Sequence, residues 1–218
     1  MLHTNPCNKT ILFDFDGTLA NTLKTVVEIY NKVAPEYNCK TVELEDVSRL
    51  QAMTISHLMK EQGISHITLA ILLVRVRKEL HINIDHVKPF FGIEEQLQTL
   101  KKMGYQLGIM SSNSQKNVHT FLESNNMKHL FDFVHTSKNI FGKHTAIKRI
   151  ISNLSLQTND VVYVGDETRD IEACKKIGVK IAAVSWGYNL PEVLQAMQPD
   201  VLIDEPHSLA NCISKLAM

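Results

Sequence analysis

The sequence predicts an α/β fold: a doubly wound parallel sheet with a small helical cap inserted after the first strand. Two patterns carry that reading. From about residue 90 onward, short apolar runs alternate with amphipathic stretches, the rhythm of successive β–α units. Between about residues 20 and 88 the rhythm stops and helix-like stretches follow one another. The implied organisation is an α/β core of residues 1–19 and 88–218 and a helical cap of residues 20–87.

The first strand is "TILFDF" (10–15), apolar and β-branched. Further strands are "YQLGIM" (105–110), "DVVYVG" (160–165), "KIAAVS" (180–185) and "VLI" (201–203). Near-continuous hydrophobicity marks strands covered on both faces, as in a parallel sheet. The helices between and after them are "IEEQLQTLKKM", "QKNVHTFLESN", "HTAIKRIISNL", "DIEACKKI", "PEVLQAM" and "SLANCISKL". Gly104 and Gly178 stand where helix stops are expected, each just ahead of a strand. Within the interruption, helices are expected over roughly 22–37, 44–62 and 65–81. "TLAILLVRVRKEL" is rich enough in Val and Ile to suit a strand, and is read as helix. "LANT" leads into the cap, and "VKPFFG", with Pro89 and Gly92, is the return.

Composition narrows the function. The 218 residues carry 23 Lys and Arg against 23 Asp and Glu, a formal net charge of zero. A nucleic-acid binder would show a basic excess. The first ten residues have neither the charged nor the apolar part of a signal peptide. The most apolar segment, "ITLAILLVRVRK", is cut by Arg75 and Arg77 and is too short to span a bilayer. Cys7, Cys39, Cys174 and Cys212 are scattered, which suits free thiols in a reducing compartment. The expectation is a cytoplasmic protein with neither nucleic-acid nor membrane partners; oligomeric state is not legible.

Three strands end in polar clusters: Asp14-x-Asp16-Gly17-Thr18, Ser111-Ser112-Asn113, and Gly165-Asp166-Glu167-Thr168-Arg169-Asp170. In an open parallel sheet the carboxyl ends of the strands form the ligand crevice, so these clusters should converge. Residues two apart on a strand share a face, placing Asp14 and Asp16 roughly 6–7 Å apart. Asp14, Asp16, Asp166 and Asp170 together require a cation, and an all-oxygen donor set suits Mg²⁺ rather than zinc or copper. A carboxylate there can attack phosphorus, and a second can protonate the leaving oxygen and activate water. Ser111, the Ser112 amide and Lys143 are candidate donors to the phosphoryl oxygens. Blander roles compete: turn and helix caps for the aspartates, a loop residue for Ser111, a solvated lysine for Lys143. Trp186 is expected to pack beneath a loop. In the cap, Arg49, His57 and Lys60 could reach an anionic substrate group, or simply face solvent.

"DFDGTLANT", Ser111, Lys143 and "GDETRD" resemble, in order, the four motifs of the haloacid dehalogenase superfamily. The resemblance covers about 10–20 and 88–205, with the helical insertion where subfamily I carries its cap. "VSWGYNLPEVL" and "KPFFGIEEQLQTLKKMGYQLGIMSSNS" further resemble phosphoglycolate phosphatases and their relatives. The resemblance implies Asp14 as nucleophile and Asp16 as general acid/base. It implies Mg²⁺ held by Asp14, the Asp16 carbonyl and Asp166, with Asp170 acting through water or behind the ligands. Lys143, Ser111, Ser112, Asn113 and Thr18 are expected on the phosphoryl side. A small phosphorylated metabolite is the expected substrate. Phosphoglycolate leads, ahead of pyrophosphate or a sugar phosphate; a phosphomutase is disfavoured because those resemble "EDS" rather than "GDET". A phospho-accepting signalling domain or an idle binding scaffold is the alternative of another class.

Overall fold

The computed structural model describes residues 9–137 and 142–217; the chain start with Cys7 lies outside them. Six strands form one parallel sheet. They are β1 (Thr10–Phe13), β2 (Gln106–Ser111), β3 (Phe133–Thr136), β4 (Val161–Gly165), β5 (Lys180–Val184) and β6 (Val201–Ile203), ordered β3-β2-β1-β4-β5-β6. The strand absent from the sequence reading is β3. Its four residues, "FVHT", form the sheet edge and are all only half-buried, so they lack the continuous apolar run that betrays a central strand.

Side-chain alternation along β1 and β4 divides the interior into two layers. Ile11, Phe13, Val162 and Val164 point to one face; Leu12, Val161 and Tyr163 point to the other. The helices outside the insertion are α5 (Ile93–Lys102), α6 (Gln115–Ser124), α7 (Lys143–Asn153), α8 (Thr168–Ile177), α9 (Pro191–Ala196) and α10 (Leu209–Leu216). α5, α6 and α10 cover the first face, while α7, α8 and α9 cover the second.

Four helices lie between β1 and α5: α1 (Leu23–Val33), α2 (Val47–Gln51), α3 (Ile55–Gln62) and α4 (His66–Asn83). The first expected helix stops at Val33 and continues as a 3₁₀ turn, Ala34–Tyr37. The single helix expected over 44–62 is two, because Thr54 adopts an extended backbone and caps α3, accepting from the His57 amide at 3.3 Å. "TLAILLVRVRKEL" is helical within α4, whose Leu72, Val76 and Leu80 recur every fourth residue and are buried. The chain leaving and re-entering the sheet layer runs side by side: Ala20 pairs antiparallel with Pro89, and the Asn21 amide donates to the Lys88 carbonyl at 3.0 Å. Among the described residues no helix is long and apolar enough to cross a membrane.

Behind the end of β1, the fully buried rings of Phe15 and Phe121 meet edge to face, 5.0 Å between centroids. Phe121→Ala should cost about 3–5 kcal/mol, seen as a lower urea midpoint with an unchanged m value.

Candidate active site

Phe13 of β1 is in register with Val164 of β4, and the Asp14 amide donates to the Val164 carbonyl at 2.8 Å. The two strands therefore end together, between the halves of the sheet where strand order reverses, which is where a crevice opens. Asp14, Asp166 and Asp170 meet there. All three are buried, and one carboxylate oxygen from each lies within 4.8 Å of the others.

Local geometry fixes each carboxylate separately. Asp166 is fully buried; its Oδ1 accepts from the Thr18 hydroxyl at 2.6 Å and its Oδ2 from the Tyr188 amide at 2.7 Å. Those loops come close because both carry glycine. A Cβ on Gly17 would lie 2.1 Å from Asp166 Oδ2, and one on Gly187 2.2 Å from the same atom. Gly17 also has φ +77°, which other residues rarely adopt. Asp170 combines two roles: Oδ2 caps α8 by accepting from the Glu167 amide at 3.1 Å, and Oδ1 accepts from Lys143.

Lys143, the first residue of α7, is 3 % exposed and so is not a solvated lysine. Its ammonium donates to Asp14 Oδ2 at 2.6 Å and to Asp170 Oδ1. It also lies 5.5 Å from the centroid of the Tyr163 ring. Burial works to lower its pKa, but the charges of Asp14 and Asp170 outweigh it and hold the ammonium above its usual range.

Asp16 is gripped by one amide: Asn113 Nδ2 donates to its two oxygens at 3.1 and 2.9 Å. Desolvation, then the charge of Asp14, pushes the Asp16 carboxyl up to about 6, and the Asn113 and Thr22 hydrogen bonds oppose the rise. Two aspartates two residues apart thus stand in different surroundings, one against an ammonium and one against a neutral amide. Ser111 is fully buried, with its Oγ accepting from the Asn113 amide at 2.9 Å, while Ser112 is half-buried.

The expected site residues are brought to one end of the sheet, and two of them make hydrogen bonds the sequence reading did not include. The Thr18 hydroxyl is turned to Asp166 and the Asn113 side-chain Nδ2 to Asp16, so both side chains arrange carboxylates. Trp186 packs as expected, its indole donating to the Thr18 carbonyl at 3.1 Å and its ring 6.3 Å from that of Phe90. Of the cap candidates, His57 and Lys60 are exposed, and Arg49 is spent on Asp46 and Glu61.

Other functional residues escaped the sequence reading. Asn117 donates to Asn113 Oδ1 at 2.9 Å and to the Arg77 carbonyl of α4 at 3.0 Å. Asn189 donates to the Gln51 and Met53 carbonyls, both at 3.0 Å, while its Oδ1 accepts from the Thr168 amide at 2.9 Å. One side chain therefore ties the cap to the loop that carries Asp166. Asn117 stands four residues beyond Asn113 at a helix start, a spacing that juxtaposes side chains; Asn189 leaves no such trace. Between cap and sheet lies a largely apolar cavity of about 240 Å³, with Leu23, Val26, Tyr30, Val76, Arg169 and Tyr188 among its walls.

Residues 11–184 match the family described as "Haloacid dehalogenase-like hydrolase". The chain is 35% identical to a phosphoglycolate phosphatase of Synechococcus elongatus, over 95% of this chain and 98% of that one. It is 26% identical to pyrophosphatase PpaX of Bacillus mycoides, over 95% and 97%. Its fold is shared with a "predicted phosphatase" from Clostridium acetobutylicum, TM-score 0.82 at 19% identity over 95% and 98%. A "predicted phosphoglycolate phosphatase" from Haemophilus somnus superposes with TM-score 0.74 at 19% identity, over 94% and 97%.

A hydrogen bond to an ionised carboxylate lowers its pKa, so removing the donor raises it. Asn113→Ala should move the Asp16 titration upward from about 6. Carboxyl-carbon NMR titration of the metal-free protein checks this, and an unchanged or lower value would contradict it.

Proposed function

We propose, on the premise that this chain belongs to the haloacid dehalogenase-like hydrolases and is a phosphatase, that it hydrolyses a small phosphomonoester with Mg²⁺ through a phospho-Asp14 intermediate. The observation that carries the reading is the buried triangle of Asp14, Asp166 and Asp170 with Lys143 against it. Its donors are all hard oxygens, the set that suits Mg²⁺. Asp14, Asp166 and the Asp16 carbonyl would hold the ion, with Asp170 behind them. Bound there, it supplies positive charge to offset the carboxylates and the transferring phosphoryl group.

An Asp14 oxygen attacks phosphorus as the bond from phosphorus to the leaving oxygen breaks. Asp16, whose carboxyl is pushed up to about 6, retains a proton fraction near neutrality and delivers it to that oxygen. Ionised Asp16 then takes a proton from the water that attacks the phospho-Asp14 phosphorus, freeing Asp14 and releasing phosphate. An ammonium has three donors; Lys143 spends two on Asp14 and Asp170, leaving one for a phosphoryl oxygen. Ser111 supplies another. The helical segment, residues 20–87, acts as the cap that excludes water and meets the leaving group.

Phosphoglycolate is the first substrate to test, since the phosphoglycolate phosphatase relative is similar over nearly the full length of both chains. Pyrophosphate is second. We place the enzyme in the cytoplasm, on the free thiols of Cys39, Cys174 and Cys212.

Wild-type protein with Mg²⁺ should turn over p-nitrophenyl phosphate continuously, and Asp14→Asn should lower kcat by about 10³-fold or more. A single stoichiometric phosphorylation would point instead to a signalling domain. Burial, then the charges of Glu167, Asp14 and Asp170, raises the Asp166 pKa well above its ordinary value; burial chiefly pushes Asp170 up to about 6. Ligands must shed their protons to bind, so Mg²⁺ affinity should weaken by up to about tenfold per pH unit, per proton, as pH falls through these values. Calorimetric titration at about pH 7.5 and about pH 5.5 checks it.

A further inference from the structure

Arg77, on the cap helix α4, is held close to Asp16 by side-chain amides. Its carbonyl accepts from Asn117 Nδ2 at 3.0 Å; the same nitrogen donates to Asn113 Oδ1 at 2.9 Å, and Asn113 holds Asp16. One turn further along α4, His81 Nδ1 lies 3.0 Å from Asn117 Oδ1. The register of α4 against the Asn113–Asn117 segment is thereby fixed at Arg77 and one turn beyond it.

The guanidinium has an unmet need. Among the described residues, Arg77 Nη2 is the one buried side-chain nitrogen or oxygen without a hydrogen-bond partner. A buried donor left unpaired is costly, and on a cation more so. Asp16 draws the charge, yet among the described residues the two form no ion pair, and the Asp16 oxygens accept instead from Asn113 Nδ2. The other charge it faces is Arg169, which repels it and is itself held by Glu167 at 2.6 Å. The other two cap arginines are already matched: Arg75 pairs with Glu79 at 2.8 Å, and Arg49 with Asp46 at 3.2 Å. Arg77 is thus a half-buried cation close to Asp16, with one buried nitrogen unpartnered.

We infer that Arg77 reads the substrate: its guanidinium receives a second anionic group, a carboxylate or a second phosphate, on the leaving-group side of the phosphomonoester. The inference rests on the phosphatase reading and extends it from a reaction to a substrate class. A guanidinium presents its donors in a planar fork that fits either group with two parallel hydrogen bonds. Phosphoglycolate and pyrophosphate both carry such a group; neutral sugar or aryl esters do not. The apolar cavity beyond would favour an apolar leaving group, and that preference is the competing result.

The test compares wild type, Arg77→Met and Arg77→Lys with Mg²⁺ on phosphoglycolate, pyrophosphate and p-nitrophenyl phosphate. Arg77→Met, which keeps the apolar stem, should lower the ratio of kcat/KM for the preferred two-anion substrate to that for p-nitrophenyl phosphate by about 100-fold, mainly through KM. Arg77→Lys should fall between. Equal losses on all substrates, or a wild-type preference for p-nitrophenyl phosphate, would overturn the inference while leaving the phosphatase reading intact. Absence of turnover on every substrate would sink the phosphatase reading instead. Binding then decides about Arg77 separately: in an Asp14→Asn background, phosphoglycolate should bind more tightly than methyl phosphate by calorimetry, and Arg77→Met should erase the difference. Equal affinities in that background refute the role. Thermal melting controls for folding; removing a cation whose buried nitrogen is unpartnered should leave the midpoint unchanged or higher.

Discussion

The ammonium of Lys143, set between Asp14 and Asp170, is the contact on which the catalytic end of this protein depends. Carboxylates gathered within a few ångströms repel by roughly 4 kcal/mol per pair at an effective dielectric of about 20. Hydrogen bonds from the Thr18 hydroxyl and the Tyr188 amide spread the charge of Asp166 but add no positive charge. Lys143 does add it. Its location owes nothing to its helix, because the amino end of α7 is the positive end of the helix dipole and disfavours a cation. The two aspartates hold it there, and α7 is packed so that its first residue reaches them.

The same economy shapes the join between cap and sheet. Asn113, Asn117 and Asn189 are neutral, and each uses both ends of its amide. A neutral amide can bridge the insertion and the catalytic loops without adding to the charge already crowded there. Asn117 links α4 to the grip on Asp16; Asn189 links the Gln51–Met53 turn to the start of α8. The insertion therefore contributes hydrogen bonds to the support of Asp16 and of the Asp166 loop alike.

Legibility in the sequence varied with the physical origin of each feature. The "DFDGT" and "GDETRD" stretches stood out because acidic residues at the ends of apolar runs are costly unless they are used. The central strands were readable since burial on both faces leaves an unbroken apolar run, whereas β3, at the edge, needs no such run. α4 was ambiguous for a different reason. Leu72, Val76 and Leu80 face inward while Ile67, Ile71, Val74 and Ile82 are exposed, so apolar residues surround the helix and blur its period. Thr54 broke one expected helix through a local cap that periodicity does not register. Arg77 looked like the other arginines, and Lys143 stood out by its place ahead of the last acidic cluster and its match to a family motif, not by its burial, because a side chain's type does not reveal what surrounds it.

By itself, the sequence determined the α/β class, the carboxylates and the strand ends at which they gather, for these follow from local hydrophobicity and chain order. Tertiary structure alone decided which polar residues meet. It placed Lys143 129 positions from the aspartate it holds, and Asp166 148 from the Thr18 hydroxyl it accepts. It also left Arg77 half-buried, with its Nη2 buried and unpartnered, while Arg49 was matched at the surface. Burial, pairing and the resulting charge balance are set by packing between segments distant in the chain, and no local pattern of residues encodes them.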